Sequence, residues 1–168
     1  MASIIGIGGI SRSGKSTLAK NLKKRLKPQK VLLIDMDEYV FPERELPQIK
    51  DLPNYEVPES IDYDRVIALI KKCESDYDFI IVEGILAFAC NELNSHYNLT
   101  VFIEISKPKF LKHRMEETRW GKEPDWYVEY VWEAHLKYGR YPYADLTLSG
   151  ENDLTEKDLN EMAVRATV

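Results

Sequence analysis

Gly9-Ile10-Ser11-Arg12-Ser13-Gly14-Lys15-Ser16 is the stretch from which the fold is read. It satisfies G-x-x-x-x-G-K-[ST] in full, a pattern that carries weight when it sits between a strand and a helix. Both flanks supply that context. Residues 3–8 make a short apolar run, and Leu18, Leu22 and Leu26 recur at helical spacing, with lysines and an arginine opposite, until Pro28 ends the helix. The glycines let the backbone curl so that successive N–H groups converge on phosphate oxygens, and the helix adds the positive end of its dipole. Lys15 then brings a point charge to the β- and γ-phosphates of ATP, and the Ser16 hydroxyl becomes a ligand for Mg²⁺. Gly9, Ser11, Ser13, Gly14 and Thr17 complete the expected nucleotide-binding set.

Outward from the loop, short β-rich runs alternate with helical stretches, the pattern of a parallel sheet covered on both faces. Strands are expected at 3–8, 31–35, 78–82, 99–105 and, more weakly, 145–148. The crossover after the second strand is long enough to bring the third between the first and second, which predicts a doubly wound α/β fold of the P-loop NTPase type, strand order 2-3-1-4-5. Further helices are predicted over 61–73, capped by Ser60 or Asp62 with Val66, Leu69 and Ile70 as its apolar stripe, from after Ser106 to about 118, over 125–138, and over 155–164. Residues 36–59 carry Pro42, Pro47, Pro53 and Pro58 and no clear period. A long ordered loop beside the site is expected there, and residues 36–60 are assigned to acceptor binding.

A chain of 168 residues fits a single domain, and 44% apolar with 30% charged residues is a globular composition. The formal charge of −5 disfavours nucleic acid as a partner. No apolar run approaches the roughly 20 residues of a membrane span, so a cytoplasmic protein without membrane contact is expected. Cys73 and Cys90 match no metal or redox spacing, and reduced thiols are the expectation.

The acidic positions decide which nucleotide chemistry applies. The N-K-x-D and D-x-x-G patterns of switch GTPases are absent from the sequence, and the acids that are present suit a kinase. Glu83 follows Phe79-Ile80-Ile81-Val82, so its carboxylate stands at the carboxyl end of a central strand, within reach of a metal or its waters. Asp37 lies just beyond the second strand, placed to accept a proton from an attacking hydroxyl, with Asp35 close enough to compete.

Several segments then add up to a resemblance. Ile5-Gly6-Ile7-Gly8-Gly9 with the phosphate loop, Asp37-Glu38-Tyr39, Asn54-Tyr55-Glu56-Val57-Pro58, Val82-Glu83-Gly84-Ile85-Leu86-Ala87-Phe88 and Tyr143-Ala144-Asp145 resemble the uridine kinase and nicotinamide riboside kinase group of P-loop nucleoside kinases. Val131-Trp132 and Leu136-Lys137-Tyr138 look more like the nicotinamide riboside branch. The resemblance implies that Asp37 is the base, that Glu83 and Asp37 join Ser16 near magnesium, and that Glu56 bonds the ribose hydroxyls. Glu56 stands where the family usually has aspartate, which shifts the sugar by roughly one methylene or requires a displaced backbone. Tyr39 and Tyr55 either flank the base or pack the loop. Arg114 and Arg119, with Lys112, fall where the family has a basic lid, here residues 112–122, although Glu116 and Glu117 interrupt the run. The pyrimidine-recognising hairpin that uridine kinases insert does not fit between Asn54 and Glu83.

The expectation is therefore transfer of the γ-phosphate of Mg-ATP to the 5′-hydroxyl of a nucleoside. Two other readings stay open: a kinase for a non-nucleoside alcohol (a sugar, a vitamin or a sugar phosphate), and a nucleotide-binding regulatory module without an acceptor. Trp120, Trp126 and Trp132 are available for a lid, an acceptor pocket or a homo-oligomer contact.

Overall fold

The computed structural model describes residues 1–119 and 121–168, so Trp120 and any role for it in a lid lie outside the described residues. In chain order the elements are β1 (Ser3–Gly9), α1 (Lys15–Arg25), β2 (Val31–Asp35), β3 (Gln48–Ile49), β4 (Leu52–Pro53), α2 (Tyr63–Cys73) and β5 (Phe79–Glu83). They continue with α3 (Asn91–Asn94), β6 (Leu99–Glu104), α4 (Lys107–Glu116), α5 (Asp125–Ala134), β7 (Leu146–Ser149) and α6 (Glu156–Ala166). The main sheet is parallel and runs β2-β5-β1-β6-β7, which is the expected 2-3-1-4-5 once the separate two-residue strands β3 and β4 are set aside.

The register of this sheet positions the site. Ile7 of β1 lies opposite Glu83 of β5, and Glu83 lies opposite Asp35 of β2. Two carboxylates are thereby brought level with the end of β1, where the chain turns into the glycine-rich loop.

Alternation along the strands builds a core on each face. Ile5, Ile7 and Ile81 pack with Leu18 and Leu22 of α1 and Met162 of α6, while Ile4, Ile80 and Val82 pack with Val66 and Ile70 of α2 and with Leu93. Burial of each such side chain contributes about 1.5–3 kcal/mol relative to exposure. A Cβ on Gly8 would stand 2.6 Å from the Phe88 ring, so the bare backbone of β1 is what admits that ring against the sheet.

Several element boundaries differ from those expected. Helix α2 starts at Tyr63, because Asp62 accepts a hydrogen bond from Arg65 N and Ile61 is held in an isolated bridge with Val40. Its buried stripe is Val66, Ile67 and Ile70, with Leu69 only partly buried. Helix α4 begins after its Ser106 cap as expected and ends at Glu116, short of 118. The stretch 125–138 is not one helix: α5 stops at Ala134 and the chain continues in a π turn, His135–Gly139. A Cβ on Gly139 would lie 2.9 Å from the Ile85 carbonyl oxygen, so only glycine allows that close passage. Helix α6 carries a capping box between Thr155 and Asp158 and extends to Ala166.

The loop expected at 36–59 is ordered by local structure. It contains 3₁₀ turns at Met36–Tyr39, Glu43–Glu45 and Pro58–Ser60, and β3 and β4 form a small hairpin before Asn54. Lys50 and Asp51 at its tip have φ of 45° and 64°, the left-handed pair that a tight two-residue hairpin turn demands. The hairpin is clasped to α5: the Lys50 ammonium lies 4.3 Å from the centre of the Trp126 ring, and Asn54 Nδ2 donates to the Tyr130 hydroxyl at 2.7 Å. Trp132 packs 5.5 Å from Phe110 between α5 and α4. Cys73 and Cys90 are free. Among the described residues no helix is long and apolar enough to cross a membrane.

Candidate active site

The glycine-rich loop has the geometry of an anion cradle. Gly9 adopts φ +149°, and a Cβ there would lie 2.7 Å from both the Ile103 carbonyl oxygen and Ser13 Oγ. Gly14, at φ +102°, precedes α1 without any side-chain cap, leaving the first N–H groups of the helix directed into the loop. Ser13 Oγ is buried and has no hydrogen-bond partner among the described residues.

Around the cradle, charge is packed tightly. Lys15 is 7% exposed and its Nζ donates to the Ile10 carbonyl at 2.9 Å. Burial lowers its pKa, and Glu83, Asp37, Glu56 and Asp35 oppose that shift. The Ser16 hydroxyl donates to Glu83 Oε1 at 2.6 Å. Desolvation raises the pKa of Glu83, tempered by this hydrogen bond and by Lys15. Asp35 Oδ1 accepts from the Asp37 backbone N–H at 2.9 Å and so caps the turn that carries Asp37. Asp37 stands exposed at a cavity mouth, yet the surrounding protein mass and then Asp35 raise its pKa, while Lys15 pulls it back.

Two cavities meet here. The first, about 650 Å³, is walled by Gly14, Lys15, Ser16, Thr17, Asp35, Asp37 and Glu83, with His113, Glu116 and Arg119 opposite. The second, about 550 Å³, is walled by Val40, Tyr55, Glu56, Ile61, Arg114 and Tyr127. Ser11, Asp37 and Ile85 belong to both walls.

Most of the residues singled out in the sequence are therefore gathered at this junction, and a few are not. Gly9 and Ser13 line neither cavity. Tyr55 lines the second cavity and donates its hydroxyl to Glu43 at 3.3 Å, whereas Tyr39 packs into the α2-side core with the Arg65 guanidinium 4.7 Å from its ring centre. Lys112 is exposed on α4 and lines neither cavity. Arg114 is 8% exposed: Nε and Nη2 each donate to Glu123 at 2.6 Å, and Nη1 donates to Ser11 Oγ at 3.0 Å. Arg119 pairs with Glu117, which also takes Arg12 at 2.7 Å, and these guanidinium groups, Arg119 first, hold the Glu117 carboxyl down to about 2.

Glu56 is held in place by Asn54, whose Oδ1 accepts from the Glu56 backbone N–H at 3.1 Å. Desolvation pushes its pKa up to about 7, against the pull of Arg114. Glu123, Tyr127 and Tyr130 complete this cluster and were not singled out in the sequence; only the aromatic density of α5 hints at the two tyrosines. Among the described residues no three His, Cys, Asp or Glu side chains converge as a metal cage. Ser16, Glu83 and Asp37 nevertheless offer hard oxygen donors on one wall, the sparse protein contribution that suits a magnesium ion carried in on phosphates.

Comparison with known proteins agrees with this architecture. A family described as an AAA domain matches residues 5–133. Nicotinamide riboside kinase 1 of Homo sapiens is 30% identical over 163 residues, covering 86% of this chain and 79% of the relative. A uridine kinase of Deinococcus deserti is 24% identical over 200 residues, covering 98% and 96%. The crystal structure of shikimate kinase from Aquifex aeolicus superposes with a TM-score of 0.55 at 23% identity, over 98% of this chain and 96% of the other, a likeness of fold. The phosphate loop, the strand order and these relatives establish that the chain belongs to the uridine kinase and nicotinamide riboside kinase-like family of P-loop small-molecule kinases.

Proposed function

We propose that the protein transfers the γ-phosphate of Mg-ATP to the 5′-hydroxyl of a nucleoside. The observation that carries this reading is the shared wall: Asp37 and Ser11 face both the phosphate cavity and the second cavity, so a donor and an acceptor would meet at Asp37. Bound Mg-ATP supplies the phosphoryl group and the divalent charge that offsets its oxygens. The loop N–H groups and Lys15 hold the phosphates, Ser16 and Glu83 hold the magnesium side, and Asp37 takes the proton of the attacking hydroxyl. His113 and Arg119, from the 112–122 segment, wall the phosphate cavity on its far side and act as the lid that excludes water.

The second cavity also bears on which acceptor enters. Asp37 and Glu56 line it, and the guanidinium of Arg114 is already paired with Glu123. A wall with that excess of carboxylate repels shikimate, gluconate or a sugar phosphate and accepts a neutral or cationic riboside. Glu56 accepts the ribose hydroxyls, and Tyr55 and Tyr127 flank the base. A cytoplasmic enzyme with a small-molecule partner, and without a nucleic-acid or membrane partner, is the role that goes with this reading.

Incubation with Mg-ATP and a panel of uridine, nicotinamide riboside, pantothenate, shikimate and simple sugars, followed by ADP release, tests the proposal. Stimulation by a riboside is expected; stimulation only by another alcohol, or by nothing, would refute it. For Glu56→Ala the acceptor KM should rise roughly 10- to 100-fold, the loss of hydrogen bonds to a charged group, with the ATP KM within about a factor of two. An unaltered acceptor KM would remove the ribose contact.

A further inference from the structure

Glu123 lies ahead of α5 and lines neither the phosphate cavity nor the acceptor cavity, yet it controls a buried arginine of the site. Its two oxygens take Nε and Nη2 of Arg114, both at 2.6 Å, in the side-by-side geometry that fixes a guanidinium in orientation as well as position. The remaining edge of the fork is thereby turned toward the phosphate loop, where Nη1 meets Ser11 Oγ at 3.0 Å. Both partners are sheltered, with side-chain exposures of 6% for Arg114 and 18% for Glu123, so the pair is far less screened than a surface ion pair.

A second carboxylate competes for the same cation. Glu56 and Arg114 line one cavity, and Arg114 is the strongest influence drawing Glu56 toward its charged form. The other groups facing Glu56 are Lys15 at the start of α1, Asp37 in the turn after β2, Glu123 itself, Tyr127 and Tyr130 on α5, and His135 of the π turn across a small void. Lys15 is also beset by Glu83, Asp37 and Asp35, which leaves Arg114 as the cation whose allegiance sets the charge on Glu56.

We propose that Glu123 is a positioning residue: its carboxylate pins the Arg114 guanidinium against Ser11 of the phosphate loop and partly offsets the pull of that positive charge on Glu56. The inference rests on the kinase reading above, with Glu56 as the acceptor carboxylate. Its consequence is that acceptor binding depends on pH near neutrality. With Glu56 at about 7, the carboxylate that accepts ribose hydroxyls is protonated below that pH and ionised above it, so kcat/KM for the acceptor rises with pH through 7.

Two variants separate charge from geometry. Glu123→Gln removes a negative neighbour of Glu56 and frees Arg114 to neutralise it; both changes favour the ionised form, so the acid limb of kcat/KM should move down by about one pH unit. The same variant unpins Nη1 from Ser11, and kcat should fall about tenfold with the ATP KM within a factor of about two. Glu123→Asp keeps the charge and shortens the reach, so its acid limb should stay in place while kcat falls. The measurements use uridine and nicotinamide riboside as acceptors, with thermal melting confirming that each variant is folded. An acid limb of Glu123→Gln at the wild-type position, or an unchanged kcat, would overturn the inference while leaving the kinase reading intact. Wild-type protein with no acceptor-stimulated ADP release would overturn both.

Discussion

Lys15→Ala is expected to lower turnover by roughly two orders of magnitude or more, the scale of a lost preorganised electrostatic contact. The reason lies in where the ammonium sits. Lys15 is 7% exposed, at the first residue of α1, with its Nζ held by the Ile10 carbonyl inside the same loop. Water is largely excluded, so a unit charge there acts on phosphate oxygens at an effective dielectric well below that of bulk solvent. Four carboxylates face it, Glu83, Asp37, Glu56 and Asp35, and they offset the burial that would otherwise drive off its proton. Removing the ammonium therefore does two things: developing charge on the transferred group loses its partner, and the incoming triphosphate meets four uncompensated acids. The ATP KM should rise along with the fall in kcat. Arginine is not a substitute, since a planar fork does not replace a point charge in a loop closed at Gly9 by backbone contact. Steady-state ADP release with the riboside acceptor measures both constants, and normal turnover in the alanine variant would strip Lys15 of its role.

The parts of this site that could be read from the sequence are the ones encoded locally. Gly9 to Ser16 is contiguous, its flanks carry their own periodicity, and the apolar run before Glu83 places that acid at a strand end without knowledge of any other element. Pairing order followed because parallel strands need crossovers, and the lengths of the connections left few arrangements. What escaped was everything fixed by distant partners. The hairpin at Gln48–Ile49 and Leu52–Pro53 has only two residues per strand, and its turn is Lys50-Asp51 in place of the glycine that would have announced it. It is stable because Trp126 and Tyr130 receive it, contacts across more than 70 positions of sequence. The break between Ala134 and His135 is likewise set by the close passage of Gly139 beside Ile85. Glu123 had no local signal at all. Its meaning comes from Arg114, whose burial under the loop is a tertiary fact; a basic side chain on an amphipathic helix looks the same whether it faces water or Ser11.

Asp37→Asn should likewise reduce kcat by about 10²-fold or more while changing both KM values little, the behaviour of a lost proton acceptor. Two aspartates near the end of β2 are candidates for that role, and their placement on the cavity walls favours Asp37. Asp35 faces the phosphate cavity alone, and its Oδ1 is already occupied by the Asp37 N–H, whereas Asp37 belongs to both cavity walls. A base must touch the acceptor hydroxyl and stand beside the phosphorus it attacks, and of the two only the residue on the shared wall meets both demands. The electrostatics of Asp37 suit a general base. Desolvation by the surrounding protein and then the neighbouring Asp35 raise its carboxyl above the ordinary range, which brings a proton acceptor closer in strength to the working pH, while Lys15 keeps it from going further. Because the acid must be ionised to act, kcat should fall as pH drops through its raised pKa, and that acid limb should vanish in Asp37→Asn. The amide keeps the size and one hydrogen bond of the carboxylate, so a folded, ligand-binding but inactive protein is the expected result. Asp35→Asn is the matched control, with a smaller loss that reflects the weakened turn under Asp37. If the control proves the more damaging of the two, or if the acid limb of kcat survives in Asp37→Asn, the proton leaves by another route and the shared wall has been misassigned.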